Sequence, residues 1–446
     1  MKLWRRGALA VLWCVSWVIA AWVIKFSVER GRELQKSNPE IYLGAAPLVG
    51  RKFRDGWDWR FSWALVAAGV LAAIVALGCI AGWWWKLRLR WVVVASAVGS
   101  GAFATLLALT DGSDGLLYAV KHPTEYSAGL DTFAPAGEFL RTFIERIDDY
   151  SVHVRGHPPG FVLLLKAMAA IGLGGPWPEA MIAVVSTVVL VAAVLITVHT
   201  LLGHEWVRRC APFMVVVPYG IWMITSADAL YTAMGAVGIA LACVGMQRSG
   251  RQAVLLGLAS GLVLGLLLFM TYLAAVLVLI PVVFVIAGLR RREPGTWPMA
   301  AGAAGAAIAV TAAFALGGFW WFEGVGRTHI EYWDGSARFR VWSYFGRANL
   351  AAAMLALGPV TFLGLLHLRH RRMWLIVGAG LAALTASHLS QFTRGEVERI
   401  WLLFYPWIAI AAGALAPRTR RWGPAALVMV QAGCAITLQA ALVSKW

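Results

Sequence analysis

The sequence predicts an all-α polytopic membrane protein, and three observations predict it. Apolar runs of about twenty residues, the length that crosses a ~30 Å hydrocarbon core, recur along the chain. Of the 446 residues 60% are hydrophobic and 14% charged, and no polar segment is long enough to build a large soluble domain. The basic residues come as short clusters between the apolar runs, the placement expected of topology signals.

Taken in order, the chain opens on "MKLWRRGALAVLWCVSW", a charged start and an apolar stretch with no small-residue cleavage site after it. It reads as a retained first span. Thirteen spans are expected, at about 7–25, 62–84, 91–110, 179–201, 210–225, 227–246, 253–270, 272–289, 298–317, 349–368, 373–388, 400–416 and 423–443. With the N-terminus inside, the clusters around Arg5, Arg88, Arg208, Arg248, Arg291, Arg371 and Arg420 all fall on the cytoplasmic side. The apolar run 160–171 is left out of the count. At ~1.5 Å per residue it reaches only about 20 Å, too short to cross. The preceding "HPPG" therefore opens a juxtamembrane helix on the outer face, its prolines in the first turn, where they are tolerated.

That parity leaves one long external segment, 111–178, in which Leu140, Phe143, Ile144 and Ile147 recur at helical spacing opposite Arg141, Glu145, Arg146 and Asp148. The pattern is that of a helix in the membrane interface. Two further external loops, 319–349 and 387–399, are rich in aromatic and charged residues. A third, 26–61, contains "RKFRDGWDWR" and receives no role.

A net charge of +17 raises nucleic acid as a partner, but the interspersed placement of the charges argues against it. The five cysteines are scattered in or beside apolar runs and form neither a disulfide framework nor a metal-ligand pattern. No metal ligands are assigned, and a divalent-ion requirement is left open.

A family resemblance rests on five stretches in a fixed order. They are "DGSDGLLYAV" at the end of span 91–110, "GHPPGFVLLL", "SADALYTAMGAVGIALA", "GLLLFMTYLAAVLVLIPVVFVIAGLRRR" and "GEVERIWLLFYPWIAIAAGAL". Together they resemble the GT-C superfamily of membrane glycosyltransferases, which includes protein mannosyltransferases and arabinosyltransferases. The resemblance covers roughly 91–416, implying a catalytic module there, with 1–90 as an N-terminal addition and 417–446 as a C-terminal span. It implies a polyprenyl-phosphate sugar as donor and a glycan, lipid or protein acceptor in the cell envelope. The enzyme would sit in the plasma membrane with its site facing the exterior. Two departures stand out. Gly115 occupies the place of the family's second carboxylate, and no lysine lies in the polar turn at Met270-Thr271-Tyr272.

Inverting transfer from such a donor needs a general base for the acceptor hydroxyl and positive charge for the departing phosphate. Asp114, matched by the spacing to Tyr118, is the first choice for the base and Asp111 the second, although "TDGSDG" is also a plain turn. Arg394 and Arg399 flank "GEVE" and are candidates for the phosphate, unless they only pair with Glu396 and Glu398. Arg155 and His157 beside the Pro-Pro turn are further phosphate candidates. Tyr332, Trp333, Asp334, Arg338 and Arg340 offer faces and charges for a sugar, or serve as interfacial anchors. Asp228 sits where a carboxylate needs a partner, a function or a helix to cap. The alternative function is a transporter or flippase, which would more typically carry repeats and mid-membrane charges; neither is visible.

Overall fold

The computed structural model describes residues 2–38, 46–48 and 58–443, and the regular structure there is helical, with no strand among the described residues. Ten helices are long and apolar enough to cross a membrane. They are α1 (Lys2–Ser37), α2 (Trp63–Ala81), α3 (Leu89–Ala108), α4 (Pro176–Leu202) and α5 (Asp228–Met246). There follow α6 (Gly250–Leu268), α7 (Thr296–Leu316), α8 (Trp342–His367), α9 (Arg371–Ser390) and α10 (Trp422–Ala441). The chain is a multi-pass membrane protein.

The expected count of thirteen is corrected to ten, or eleven if Val397–Leu403 and Tyr405–Leu415, bent by 77°, form one span. The other two expected spans are a helix His204–Val215 with a following 3₁₀ turn Pro218–Trp222, and the shorter apolar stretch Ala274–Arg290. The reason is physical. Irregular backbone is tolerated at membrane depth where protein, not lipid, surrounds it. Residues 210–224 and 401–413 are buried throughout. The helix Gly160–Ala170, with 11 residues, is short as expected.

Packing follows from small residues. Gly257 and Gly261 of α6 lie so close to the Met299 and Ala303 carbonyls of α7 that a Cβ on either would overlap backbone. This is the small-xxx-small approach that joins helices in lipid. Ser260 Oγ donates to the Gly238 carbonyl at 2.8 Å and ties α6 to α5. In α8, Gly358 at φ 70° and Pro359 break the helix. Gln431 of α10 repairs the gap, accepting from Val360 N–H at 3.0 Å and donating to the Leu357 carbonyl at 2.8 Å.

The N-terminal helices are built into the bundle: α2 packs on α3 and α10, and α1 packs along α8. Arg60 donates to Asp111 and to the Gln439 and Leu442 carbonyls, joining the entry to α2, the end of α3 and the end of α10. Most of "RKFRDGWDWR" lies outside the described residues.

Candidate functional site

Segment 111–178, helix Trp321–Asp334 and the late loop 391–399 build the site. Beyond α3 the chain makes a 3₁₀ turn Leu109–Asp111 and then a helix Asp114–Lys121. Gly115 abuts the Ala108 carbonyl, leaving no room for any side chain. The missing second carboxylate thus coincides with a close backbone approach. Asp111 is held by Arg60, while Asp114 and Tyr118 are exposed.

The helix expected around 140–147 is corrected: the helix runs Ala136–Thr142 and ends before Phe143, and a 3₁₀ turn Ile147–Asp149 follows after a turn. Along this stretch Phe143 and Ile147 are buried, Leu140 and Ile144 half-buried, and Arg141, Glu145, Arg146 and Asp148 exposed. Protein covers the apolar side. Phe139, Phe143 and Tyr150 pack together, and Phe143 meets Phe319 edge-on with ring centroids 5.6 Å apart.

The HPPG turn is docked from within. Gly160 N–H donates to the Phe269 carbonyl at 2.7 Å, and a Cβ on Gly160 would overlap that carbonyl. The turn therefore seats on the polar bend after α6. His157 Nδ1 lies 2.9 Å from the His153 carbonyl, so this ring does bond the turn backbone. Its ring sits among Tyr126, Tyr231 and His153. Burial holds the His157 imidazole below its ordinary pKa, against the pull of Asp228. One turn earlier, His153 Nε2 is 3.2 Å from Glu125 Oε1. Burial pushes the Glu125 carboxyl up to about 8, and the charge of Arg399 opposes it. Glu125 also lines a cavity of about 20 Å³ with Glu179, Phe161 and Ser226, room for a single water.

The late loop 391–399 faces this corner. Gln391 and Glu396 adopt φ of 61° and 62°, conformations that side chains rarely accept and that surrounding contacts must enforce. Asn349 supplies two such contacts, donating to the Thr393 carbonyl at 2.6 Å and accepting from Gly395 N–H at 3.0 Å. Arg340 and Arg394 each donate to the other's carbonyl, at 2.7 and 2.9 Å. Tyr332 Oη accepts from Arg394 N–H at 2.9 Å, and the Arg394 guanidinium lies 4.5 Å from the Trp333 ring centroid.

From that knot an ionic chain runs inward. Arg340 Nη2 is 2.8 Å from Glu396, Arg399 Nη2 is 3.1 Å from Glu396, and Arg399 Nη1 is 2.6 Å from Asp228. Ser226 Oγ donates to the same Asp228 oxygen at 3.0 Å. Asp228 therefore neutralises an arginine from the first turn of α5 and makes no N-cap bond. Glu398 turns away from this chain and accepts from Ala46 N–H at 3.3 Å. On the outer side, Arg327 bonds Asp148 and Glu331, and Arg155 lies 3.5 Å from Glu331. These contacts fasten segment 111–178 to helix Trp321–Asp334.

The structure thus gathers Arg399, Asp228, Glu396 and Arg340 into one network with His157 beside it, and places Arg394, Trp333 and Tyr332 in an adjoining knot. Asp111 belongs to the Arg60 clamp. Asp114, Tyr118, Asp334 and Arg338 are exposed. Sequence reasoning did not select Glu125, His153, Tyr126, Tyr231 or Asn349. The spacing of His153 and His157, one helical turn apart, is the only signal for any of them. Among the described residues no group of three or more His, Cys, Asp or Glu side chains is arranged to hold a metal ion.

No protein-family model matches the chain, and no curated protein matches it. Among solved structures it is similar to the oligosaccharyltransferase of Archaeoglobus fulgidus, crystallised with a tethered acceptor peptide containing the NVT sequon. The TM-score is 0.43 at 13% identity, covering 85% of this chain and 55% of that one. The chain thus spans about half the length of that enzyme.

Proposed function

We propose that the chain is an inverting GT-C-type glycosyltransferase of the plasma membrane. It moves a sugar from a polyprenyl phosphate to a cell-envelope acceptor on the exoplasmic side, with 91–416 as its catalytic module. One observation carries the reading. Three of the resembling stretches, "HPPG", "SADAL" and "GEVER", lie far apart in sequence, yet Arg399 pairs with Asp228 and the His157 ring lies 6.0 Å from that of Tyr231, one turn along the same helix. A transporter would be expected to keep such charges in mid-span. Asp228 instead stands at the very start of α5.

In this reaction the acceptor oxygen attacks the anomeric carbon. The bond from that carbon to the phosphate oxygen breaks, its electron pair leaving with the phosphate. Asp114, exposed and free to approach an acceptor, takes the hydroxyl proton, with Asp111 and Arg60 fixing the turn that carries it. Arg394 is assigned to the phosphate because a guanidinium fork matches phosphate oxygens; its Nη1 and Nη2 hold the Arg340 carbonyl and Gln391 Oε1, and the phosphate replaces those acceptors when the donor binds. Arg399, Arg155 and His157 contribute positive charge or donors nearby. Tyr118, Tyr332, Trp333, Asp334 and Arg338 are assigned to the sugar, and the buried Asp228, Arg340 and Glu398, with the half-buried Glu396, to shaping its pocket.

The test uses the full chain in nanodiscs with a panel of radiolabelled polyprenyl-phosphate sugars and an envelope-glycan extract. Label moving to the extract, with release of polyprenyl phosphate, supports the reading. Binding of no polyprenyl phosphate, with or without sugar, removes it.

A further inference from the structure

At the opposite end of the bundle from the candidate site, three separate basic clusters converge. The short helix Trp83–Lys86 follows α2. Helix His204–Val215 and the turn 417–421 close over it. Arg208 donates from Nη1 to the Trp84 carbonyl at 2.6 Å and from Nη2 to the Leu87 carbonyl at 2.8 Å, which fixes its guanidinium there. Arg418 lies over the Trp85 ring at 5.9 Å. Arg421 and Lys86 both come within 4 Å of the point where a Cβ on Gly82 would sit. A cleft of about 270 Å³ opens between them, lined by Trp85, His204, Glu205, Arg208 and Arg418.

Charge in this cleft is not balanced from within. Glu205 is its one carboxylate, and Arg209 already holds it, with Nε at 3.0 Å. Lys86, Arg208, Arg418 and Arg421 make no ion pair among the described residues. Arg208 and Arg418 are close enough for their charges to oppose each other. Topology alone requires basic residues on this side of the membrane, but not the meeting of Arg208 and Arg418 on one concavity with Lys86 and Arg421 beside Gly82 at its edge.

We propose that this cleft binds the phosphate headgroup of an anionic phospholipid. The Arg208 and Arg418 guanidiniums in the cleft, with Arg421 and Lys86 beside it, answer the phosphate charge, as basic pockets at the ends of spanning helices do. A lipid is favoured over a soluble phosphate compound because Trp83, Leu87 and Trp91, on the same stretch, are 47%, 40% and 50% exposed and offer apolar surface to acyl chains. The site does not depend on the glycosyltransferase reading.

Native mass spectrometry of the delipidated full chain, titrated with phosphatidylglycerol or phosphatidylcholine, tests it. Wild type should retain one phosphatidylglycerol in preference to phosphatidylcholine. The double variant Arg418→Gln/Arg421→Gln, whose side chains anchor no described backbone, should weaken this about fivefold per charge removed. Arg208→Gln should weaken it further. Arg290→Gln/Arg291→Gln, in a different basic cluster, should not. Equal loss in that control would mean a diffuse surface-charge effect and overturn the site. So would equal retention of both lipids, or stabilisation by inorganic phosphate to the same extent with no added effect of lipid.

Discussion

Arg399 and Asp228 are 171 residues apart in sequence and 2.6 Å apart in space, with 5% and 4% of their side chains exposed. A buried pair of this kind costs desolvation on both sides, so its presence alone is weak evidence of stability. Removing one partner is different, because it strands the other charge. Asp228→Asn or Arg399→Gln should each destabilise the protein by roughly 3–5 kcal/mol. The double variant should cost less than the sum of the two, as read from detergent-phase thermal unfolding in a double-mutant cycle. Additive costs would show that the two charges do not act as a pair.

Glu125 sets a second expectation. Its carboxyl stays protonated in the fold up to about 8, against an ordinary value of 4.5. The folded state therefore binds a proton that the unfolded state gives up, and stability should fall as pH rises from about 4.5 to 8. His157 acts in the other direction. Its depressed pKa means that stability falls as pH drops below 6.5. Above about 7 the Glu125 slope is the one that persists, so a decline between about 7 and 8 that Glu125→Gln abolishes is the signature. An unchanged slope in Glu125→Gln would assign the decline to another group.

The long helices were legible because length and apolar composition decide whether a segment can span. The segments at 204–222, 274–290 and 397–415 have the composition of spans without their geometry. Pro212, Pro218, Pro281 and Pro406 mark them, but proline also occurs in straight spanning helices, so composition could not separate the two cases. The site was legible in its arginines and in Asp228, since charges at membrane boundaries need partners. Which partner each takes was not legible, because loop 391–399 meets α5 only through tertiary packing. Glu125 carried no signal at all: nothing in "KHPTEYSAG" announces that its glutamate is buried.

The docking of HPPG can be tested by adding one methyl group. Gly160→Ala places a Cβ against the Phe269 carbonyl and should cost about 1–3 kcal/mol, the range for overpacking. Gly137→Ala is the comparison, since a Cβ there meets nothing within 4 Å. In a helix it should be neutral or stabilising by about 0.4–1 kcal/mol. Equal melting temperatures for the two variants would mean that the turn yields easily and does not set the distance between loop and α6.

Arg394 separates charge from shape. Lysine keeps the charge but loses the planar fork and the face that lies over Trp333. If the guanidinium holds the donor phosphate, Arg394→Lys should raise KM for the polyprenyl-phosphate donor while the KM for acceptor stays near wild type. Arg394→Gln should raise it more. A drop in kcat with donor KM unchanged would instead make Arg394 a support for loop 391–399.

The base assignment is the sharpest expectation. Asp114 is exposed, so Asp114→Asn should leave the melting temperature unchanged. Asn cannot accept the proton, and turnover should fall by roughly 10²–10⁴-fold, the usual size of a lost general base. Asp111→Asn should behave differently, since Asp111 is tied to Arg60 at the junction of α2, α3 and α10. It should lower stability, and Arg60→Gln should reproduce that effect. Donor binding measured in parallel tells chemistry from assembly: Asp114→Asn should bind donor like wild type. If Asp114→Asn turns over normally while Glu125→Gln is inactive and folded, the proton goes instead to the Glu125–His153 pair. Full activity in both variants, with donor still bound, would leave the transfer without a carboxylate base.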